Sequence, residues 1–482
     1  MNPSAAHFRA ISSLSSRNMR VAFFQQFAGR VVWWVLSVSL LVALAVVVVR
    51  MGLQTDLEQW IGGRISFAHG VPLTLGDRSY AAVTAPGTAD GWLSALLANR
   101  LENSLGEIGM VAERILIAFL AFAILSYRCR RSGINRWGLL GAAGFALTFS
   151  TGALLQGSGG WPLLVAALTG LLCELHDRRA RISLVLLSLL VAQTGPVALI
   201  IPAWQIAVVT GKALEQRYLR TLWEWDTAVA AACIAALFAT PSGITGLVHA
   251  VYSLGFLAKF SLLLSDPNFW PSKFNLGTPE FLFILALAAS YRRAPPTMRP
   301  GIILAGILSC VDLRLLASMA ILIAPGIAGV AKSVLSEVRY RSVGILAAVV
   351  ALGMVLVSRP VMSDAPLSDI LAGLRSASGT SGGMRMFCLP PTWCDLALSR
   401  TPNLRVLIDG RMWLYPASVR RDAVWISQLE PNWESLIRVR NIDGVVVARE
   451  GPFASLASLL ELDKRWHERR FGDVVLFVRV PQ

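Results

Sequence analysis

Apolar segments long enough to cross a lipid bilayer recur along this 482-residue chain. The first runs from Val31 to Val49, and Trp33 and Trp34 stand at its start, where aromatic side chains favour the membrane interface. Only 15% of the residues are charged and 55% are hydrophobic, whereas soluble globular domains carry about 25% charged residues. The chain is therefore predicted to be an α-helical polytopic membrane protein, and a soluble enzyme is excluded.

Ten further spans are predicted from apolar length. Their approximate bounds are 110–127, 138–154, 161–174, 182–193, 195–210, 226–240, 279–291, 301–312, 315–332 and 343–358. With the first segment they predict about eleven transmembrane helices. The apolar stretch 243–264 can instead dip into the membrane as a re-entrant element, which would change this number by one or two.

Basic residues cluster in alternate connections between the apolar segments, and the net charge is +15. Arg9, Arg17, Arg20 and Arg30 precede the first span without any acidic residue, so the positive-inside rule predicts a cytoplasmic N-terminus. An odd number of spans then places the C-terminus on the extracytoplasmic side, which is the periplasm where the membrane is a bacterial inner membrane. The positive charge is explained by topology, so we expect contacts with membrane lipids and no nucleic-acid partner.

The charge pattern and the apolar pattern together predict four parts of the chain. Residues 1–30 form a cytoplasmic N-terminus, and residues 31–358 form the transmembrane domain, with outer loops at about 50–109 and 240–278. Residues 359–383 are predicted to be a linker, because Ser and Gly dominate its second half and favour mobility. Residues 384–482 form a periplasmic domain.

The periplasmic part alternates short apolar runs with amphipathic stretches, which is typical of a small α/β domain. The predicted strands are Met384–Cys388, Leu404–Ile408, Val445–Val447 and Val474–Val480, and the predicted helices are Pro416–Glu430, Pro431–Arg440 and Phe453–Leu462. Cys388 and Cys394 would face an oxidising compartment. The sequence is compatible both with a disulfide between them and with two free thiols.

The first outer loop carries the acidic residues that are the candidates for chemistry. Asp56 and Glu58 follow the first span closely, at a depth where a carboxylate can deprotonate an acceptor hydroxyl or hold a divalent cation. The alternative is that both are solvated loop acids. Arg64 and Arg314 can bind a phosphate by paired hydrogen bonds, or can extend toward the interface as arginines near span ends commonly do. Asp90 is a further acid of the same loop.

Two parts of the sequence resemble a family of bacterial membrane proteins. In the first outer loop these are Asp56-Leu57, Gly63-Arg64, His69-Gly70-Val71-Pro72, Asp77-Arg78-Ser79-Tyr80 and Thr84-Ala85-Pro86-Gly87. In the tail they are Val406–Arg411, Leu414-Tyr415-Pro416, Ile442–Val446 and Val474–Arg479. The chain is thus similar to the GT-C superfamily of glycosyltransferases, which use polyprenyl-phosphate-linked sugars.

This resemblance implies roles for the candidate residues. Asp56 would be the catalytic base or a ligand of Mg²⁺ or Mn²⁺, with Glu58 as its substitute. Arg64 and Arg314 would neutralise the phosphate of a polyprenyl-phosphate donor, and Asp90 would contact substrate.

In the tail, the resemblance makes Asp409 and Arg411 an acceptor-binding turn. A plain strand-ending turn is the alternative, because the glycine after Asp409 suits such a turn.

The sequence also departs from the usual GT-C pattern. The superfamily's Trp-Trp-His is here Glu58-Gln59-Trp60, its His-Glu-Trp is Asp90-Gly91-Trp92, and its Arg-Pro-His corresponds to Gly160-Trp161-Pro162. Two hypotheses therefore remain open beside a transporter. The chain is either an active glycosyltransferase, or a non-catalytic membrane subunit or assembly factor that binds partner proteins or lipid.

Overall fold

The structure of the protein is a computed structural model. It describes residues 28–47, 92–155, 160–175, 177–192, 196–215, 220–239, 278–309, 313–357, 367–378, 384–389, 393–394, 404–408, 415–450 and 453–480. Most of these residues are helical, and a small sheet lies near the C-terminus.

The first eleven described helices precede the sheet and contain the apolar segments. They are α1 (Ala28–Val47), α2 (Trp92–Arg131), α3 (Arg136–Leu155), α4 (Gly160–Leu175), α5 (Arg178–Ala192), α6 (Ile200–Glu215), α7 (Arg220–Leu237), α8 (Thr278–Tyr291), α9 (Arg299–Ser309), α10 (Leu313–Val334) and α11 (Glu337–Val357). Short 3₁₀ turns at Pro196–Leu199 and Pro296–Met298 precede α6 and α9.

Four helices in the described part of the chain are long and apolar enough to cross a membrane. They are Ala28–Val47, Val197–Glu215, Leu315–Val334 and Glu337–Leu356. Three shorter apolar helices are Trp161–Leu175, Trp225–Leu237 and Phe281–Tyr291. These apolar helices are consistent with the predicted membrane protein. The predicted number of about eleven spans is not confirmed.

Helices α3 and α11 pack with their backbones in direct contact, because glycines line the interface. A Cβ added to Gly144 would lie 2.7 Å from the backbone of Ala347, and one added to Gly344 would lie 2.4 Å from the carbonyl oxygen of Trp137. Small residues allow this close approach between membrane helices. Helix α10 also packs on α3, and every residue of α10 from Leu315 to Pro325 is buried, so α10 runs through the core.

The C-terminal region forms a five-stranded sheet with the order β2-β1-β3-β5-β4. The strands are β1 (Arg385–Leu389), β2 (Arg405–Val406), β3 (Gly444–Ala448), β4 (Trp466–Phe471) and β5 (Val474–Arg479). Strand β1 is parallel to β2 and β3, whereas β5 is antiparallel to β3 and β4. The described helices of this region are α12 (Leu367–Ser378), α13 (Ala417–Ser427), α14 (Trp433–Val439) and α15 (Ala454–Leu462).

Helices cover both faces of this sheet, because alternate strand residues point to opposite sides. On β1, Met386 and Cys388 pack in a cluster that includes Ile370 and Leu374 of α12. Phe387 packs on the other face, in a cluster that contains residues of α13, α14 and α15. The predicted α/β character of the tail is seen in this arrangement.

The structure corrects two details of the predicted tail. The linker prediction is wrong for Leu367–Ser378, which is the helix α12, because Ile370, Leu374 and Ala377 form an apolar stripe buried against the sheet. Strand β4 was not predicted, because its sequence Trp-His-Glu-Arg-Arg-Phe is mostly charged. It lies at the edge of the sheet and pairs with β5 alone.

The turn between α15 and β4 is predicted to make the stability of this region depend on pH. Asp463 accepts hydrogen bonds of 2.9 Å from Nε of Arg465 to both carboxylate oxygens, and these bonds lower the pKa of Asp463 below its ordinary value. A carboxyl group with a lowered folded-state pKa stabilises the fold above its unfolded pKa of about 3.9, and this contribution is lost as the pH falls through the folded-state value.

We therefore expect the β4 amides of Asp463→Asn to exchange faster than those of the wild-type chain at pH 7, with a difference that disappears in acid. Hydrogen exchange followed by mass spectrometry on the full chain measures this difference at each pH, so intrinsic exchange rates cancel. A difference that stays constant down to acidic pH would contradict the assigned role of the carboxylate.

Candidate functional site

A cavity of about 1370 Å³ lies among α2, α4, α5, α6, α7, the α8–α9 connection and α10. We call it the amphipathic cavity, because its lining combines charged groups with apolar walls. The charged lining residues are Arg128, Glu174, Arg181, Lys212, Glu215, Asp226 and Arg293. The large apolar lining residues are Trp204, Val208, Met298, Leu322, Ile323, Pro325 and Val330.

Arg128, in the last turn of α2, is almost fully buried, with 2% exposure. Its Nε and Nη2 donate to Oε1 of Glu174 on α4 at 3.0 and 2.7 Å. Gly170 on α4 leaves room for this guanidinium, since a Cβ there would lie 2.3 Å from Cζ of Arg128. A buried arginine requires such paired hydrogen bonds to offset the cost of its desolvation.

The same guanidinium also donates hydrogen bonds to backbone carbonyl oxygens of α10, where a proline interrupts the hydrogen bonds of the helix. Pro325 lies inside α10 and has no N–H, so the carbonyl oxygen of Ile321, four residues earlier, lacks its usual helical donor. Nη1 of Arg128 donates to this oxygen at 3.2 Å, and Nη2 donates to the carbonyl oxygen of Leu322 at 3.0 Å. Arg128 therefore ties α2, α4 and α10 together at one wall of the cavity.

Asp226, in the second turn of α7, is the second buried charge of the cavity. Its Oδ1 lies 3.0 Å from Nη2 of Arg181, and its Oδ2 accepts from Nζ of Lys212 at 2.8 Å. The carboxylate side chain is 7% exposed, whereas the two basic side chains are 21% and 27% exposed. Two cations thus share one carboxylate, and this group carries one surplus positive charge.

Most of the site residues predicted from the sequence lie outside the described residues. These are Asp56, Glu58, Arg64, Asp90, Asp409 and Arg411. Arg314 stands in the first turn of α10, but the structure does not describe its side chain. Cys388 and Cys394 are joined by a disulfide with 5.4 Å between their Cα atoms. The predicted catalytic assembly around Asp56 therefore stays a prediction.

No group of three or more metal-ligating side chains occurs among the residues that the structure describes. The predicted Mg²⁺ or Mn²⁺ ligand Asp56 lies outside them. The divalent cation accordingly remains an expectation drawn from the resemblance.

Neither a protein-family model nor a curated protein sequence matches the chain. Among solved structures, the apo oligosaccharyltransferase of Archaeoglobus fulgidus aligns with a TM-score of 0.52 and 12% identity, over 89% of this chain and 72% of that one. The oligosaccharyltransferase AglB of the same organism, in complex with an inhibitory peptide and a dolichol-phosphate, aligns with a TM-score of 0.51 and 10% identity, over 92% and 74%. The chain is similar in fold to these oligosaccharyltransferases. At such low identity this likeness concerns the fold alone.

A second polar contact lies near the middle of α2. Oε1 of Glu113 accepts a 3.1 Å hydrogen bond from Nε1 of Trp161, and the neighbouring Arg114 is 5% exposed. Trp161 belongs to the segment Gly160-Trp161-Pro162, which the sequence resemblance compares with an Arg-Pro-His signature. Glu113 and Arg128 are separated by roughly 22 Å along the helix axis. The two polar regions are therefore well separated along α2.

Sequence reasoning did not identify the residues of the amphipathic cavity as a site. The positive charges of Arg128, Arg181 and Lys212 were interpreted as topology signals. This interpretation explains why the residues are basic, but it does not predict which residues they contact. Two acidic residues in the sequence could have indicated the site. Glu174 and Asp226 stand at the ends of apolar segments whose connections are otherwise basic. Charged residues at membrane depth are candidates for function or for pairing.

Proposed function

We propose that the chain is a GT-C-type glycosyltransferase that moves a sugar from a polyprenyl-phosphate donor to an acceptor on the periplasmic side of a bacterial inner membrane. The observation that supports this most is the fold shared with an oligosaccharyltransferase over 89% of the chain. A related structure holds a dolichol-phosphate, which is a lipid phosphate of the same chemical class as the proposed donor.

In this proposal the first outer loop carries the chemistry. Asp56, with Glu58 as its substitute, removes the proton of the acceptor or holds Mg²⁺ or Mn²⁺ beside the donor phosphate. The acceptor attacks the anomeric carbon, and the bond between that carbon and the phosphate oxygen breaks. Arg64 and Arg314 stabilise the departing lipid phosphate. Asp90, Asp409 and Arg411 contact substrates.

The placement of α10 is consistent with this role for Arg314. Near the opposite end of α10, Nζ of Lys332 donates to the carbonyl oxygen of Gly133, just beyond the last residue of α2. The first turn of α10 is roughly 27 Å from Lys332 along the helix axis. Arg314 therefore lies on the side of the helical domain opposite to Lys332, and the charge pattern predicts that this side faces the periplasm.

Lipid analysis after purification in a mild detergent tests the proposal. We expect a polyprenyl-phosphate species to be extracted from the wild-type protein and to be depleted about tenfold or more from Asp56→Ala, because Asp56 would hold the divalent cation that contacts the phosphate, and loss of such a charged contact removes on the order of 1.5–3 kcal/mol. Asp77→Ala, in the same loop, is the matched control and should retain the lipid. Mass spectrometry quantifies the lipid in all three preparations.

The alternative is a non-catalytic subunit or assembly factor with the same fold. The departures at Glu58-Gln59-Trp60 and Asp90-Gly91-Trp92 favour it, because they replace polar signatures of the superfamily. Proteins that copurify in stoichiometric amounts, together with a lipid content that Asp56→Ala does not change, would reject the transferase and support the subunit.

A further inference from the structure

We propose that the amphipathic cavity is a binding site for an anionic phospholipid, separate from the donor site near the first outer loop. The headgroup phosphate would contact Lys212 and Arg181, and an acyl chain would lie along the apolar wall. This inference does not depend on the proposed transferase activity.

The charged groups that line the cavity carry one net positive charge. Arg128 is matched by Glu174, while Lys212 and Arg181 share the single carboxylate of Asp226. The remaining lining groups, Arg293 and Glu215, are exposed and of opposite sign. Four cations thus stand against three carboxylates. One phosphodiester, which carries a single negative charge, makes the lining neutral.

The geometry of the cations suits a phosphate. Lys212 and Arg181 come from different helices and converge on Asp226, yet each keeps about a quarter of its side chain exposed. Both therefore retain N–H donors for a second acceptor, since ammonium and guanidinium groups carry three and five donors respectively. A phosphate oxygen accepts such charge-assisted hydrogen bonds readily.

The walls of the cavity suit an acyl chain better than a small soluble anion. Trp204 and Val208 of α6 face the cavity together with Met298, Leu322 and Pro325. Nothing lies within 4 Å of the Cβ position of Gly329, which also lines the cavity, so this part of α10 leaves open space. A free phosphate would leave these apolar surfaces uncovered, whereas a hydrocarbon chain would bury them.

The surroundings of the cavity favour an anionic lipid over a zwitterionic one. Exposed arginines follow or precede the lining residues in three connections: Arg130, Arg131, Arg178, Arg179 and Arg292. Each basic residue near a membrane surface attracts anionic lipid by about 1 kcal/mol. These connections carry the positive charge that the positive-inside rule assigns to the cytoplasm, so the lipid would come from the inner leaflet.

Native mass spectrometry of the delipidated full chain tests the assignment. The probes are phosphatidylglycerol and phosphatidylcholine with identical acyl chains, inorganic phosphate, and a polyprenyl phosphate. We expect the wild-type protein to retain phosphatidylglycerol in preference to phosphatidylcholine. Lys212→Gln should weaken phosphatidylglycerol binding about fivefold, because it removes one cation next to the phosphate.

Three further variants distinguish lipid binding in the cavity from general effects of charge and from effects on the donor site. Lys332→Gln removes the same charge from the same end of the helical domain but outside the cavity lining, and should leave binding unchanged. Lys212→Arg keeps the charge and should bind like wild type. Asp56→Ala should not change phosphatidylglycerol binding, because it affects only the proposed donor site. A thermal unfolding curve for each variant identifies any that fail to fold.

Several outcomes would overturn the inference. Equal retention of phosphatidylglycerol and phosphatidylcholine would show that the headgroup charge does not determine binding. Equal losses of phosphatidylglycerol binding in Lys212→Gln and Lys332→Gln would show that the lipid does not bind in the cavity. Competition by inorganic phosphate at the concentration at which phosphatidylglycerol binds would indicate a site for a free anion. Displacement of phosphatidylglycerol by lower concentrations of polyprenyl phosphate would assign the cavity to the carrier lipid instead.

Discussion

Replacing Arg128 with alanine is expected to lower the free energy of unfolding by about 3 kcal/mol, which is the lower end of the cost of breaking a buried ion pair. The substitution removes the hydrogen bonds that Glu174 accepts from Arg128 and the bond that the carbonyl oxygen of Ile321 accepts next to Pro325. Arg128→Lys should recover only part of this loss, since an ammonium cannot reproduce the planar set of donors that reaches Glu174, Ile321 and Leu322 together.

Thermal unfolding of the detergent-solubilised protein, measured through the fraction that stays monodisperse, gives the comparison. Arg130→Ala is the matched control, because Arg130 lies two residues away on the same helix and is exposed. Its effect should remain within about 0.5 kcal/mol. Equal destabilisation by Arg128→Ala and Arg130→Ala would show that the buried bonds to α4 and α10 do not stabilise the fold.

The second large effect is expected at the interface of α3 and α11. Gly344→Ala should cost about 1–3 kcal/mol, because its Cβ would lie 2.4 Å from the carbonyl oxygen of Trp137 and the two backbones would have to separate. In contrast, Gly353→Ala on the same helix meets nothing within 4 Å. There the gain in helix propensity should stabilise the chain by up to about 1 kcal/mol.

The same substitution on one helix is thus predicted to have opposite signs at two positions. The stabilities of the two variants should be measured by unfolding in the same detergent, so that the solvent does not differ between them. Stabilisation by Gly344→Ala would contradict the close packing of α3 on α11.

The sequence allowed the helical membrane character and the α/β tail to be predicted, because both depend on local apolar periodicity. The predicted strand Val445–Val447 lies within β3, and the predicted helix Phe453–Leu462 differs from α15 by one residue at its start. The linker prediction was wrong in part because serine and glycine content was weighed above the spacing of Ile370 and Leu374. That spacing becomes informative only when a sheet is present to receive it.

The amphipathic cavity was not predicted, for a different physical reason. Charge counting along the chain predicts which side of a membrane a connection occupies, but it does not predict which cation meets which carboxylate. Lys212 and Asp226 are separated by a connection between α6 and α7, and Arg128 and Glu174 come from α2 and α4. Such pairs follow from the packing of separate helices in three dimensions, so one-dimensional patterns cannot supply them.

The charged edge strand β4 has a consequence for how this domain behaves at high concentration. An unpaired strand edge is a template for another chain, and natural proteins block it with charge. Arg469 and Arg470 lie on β4, and the opposite edge, β2, has only two residues in strand conformation. Among the described strands, neither edge of the sheet therefore offers a long, uncharged surface for intermolecular strand addition, and the domain is protected from amyloid-like self-association in a crowded compartment.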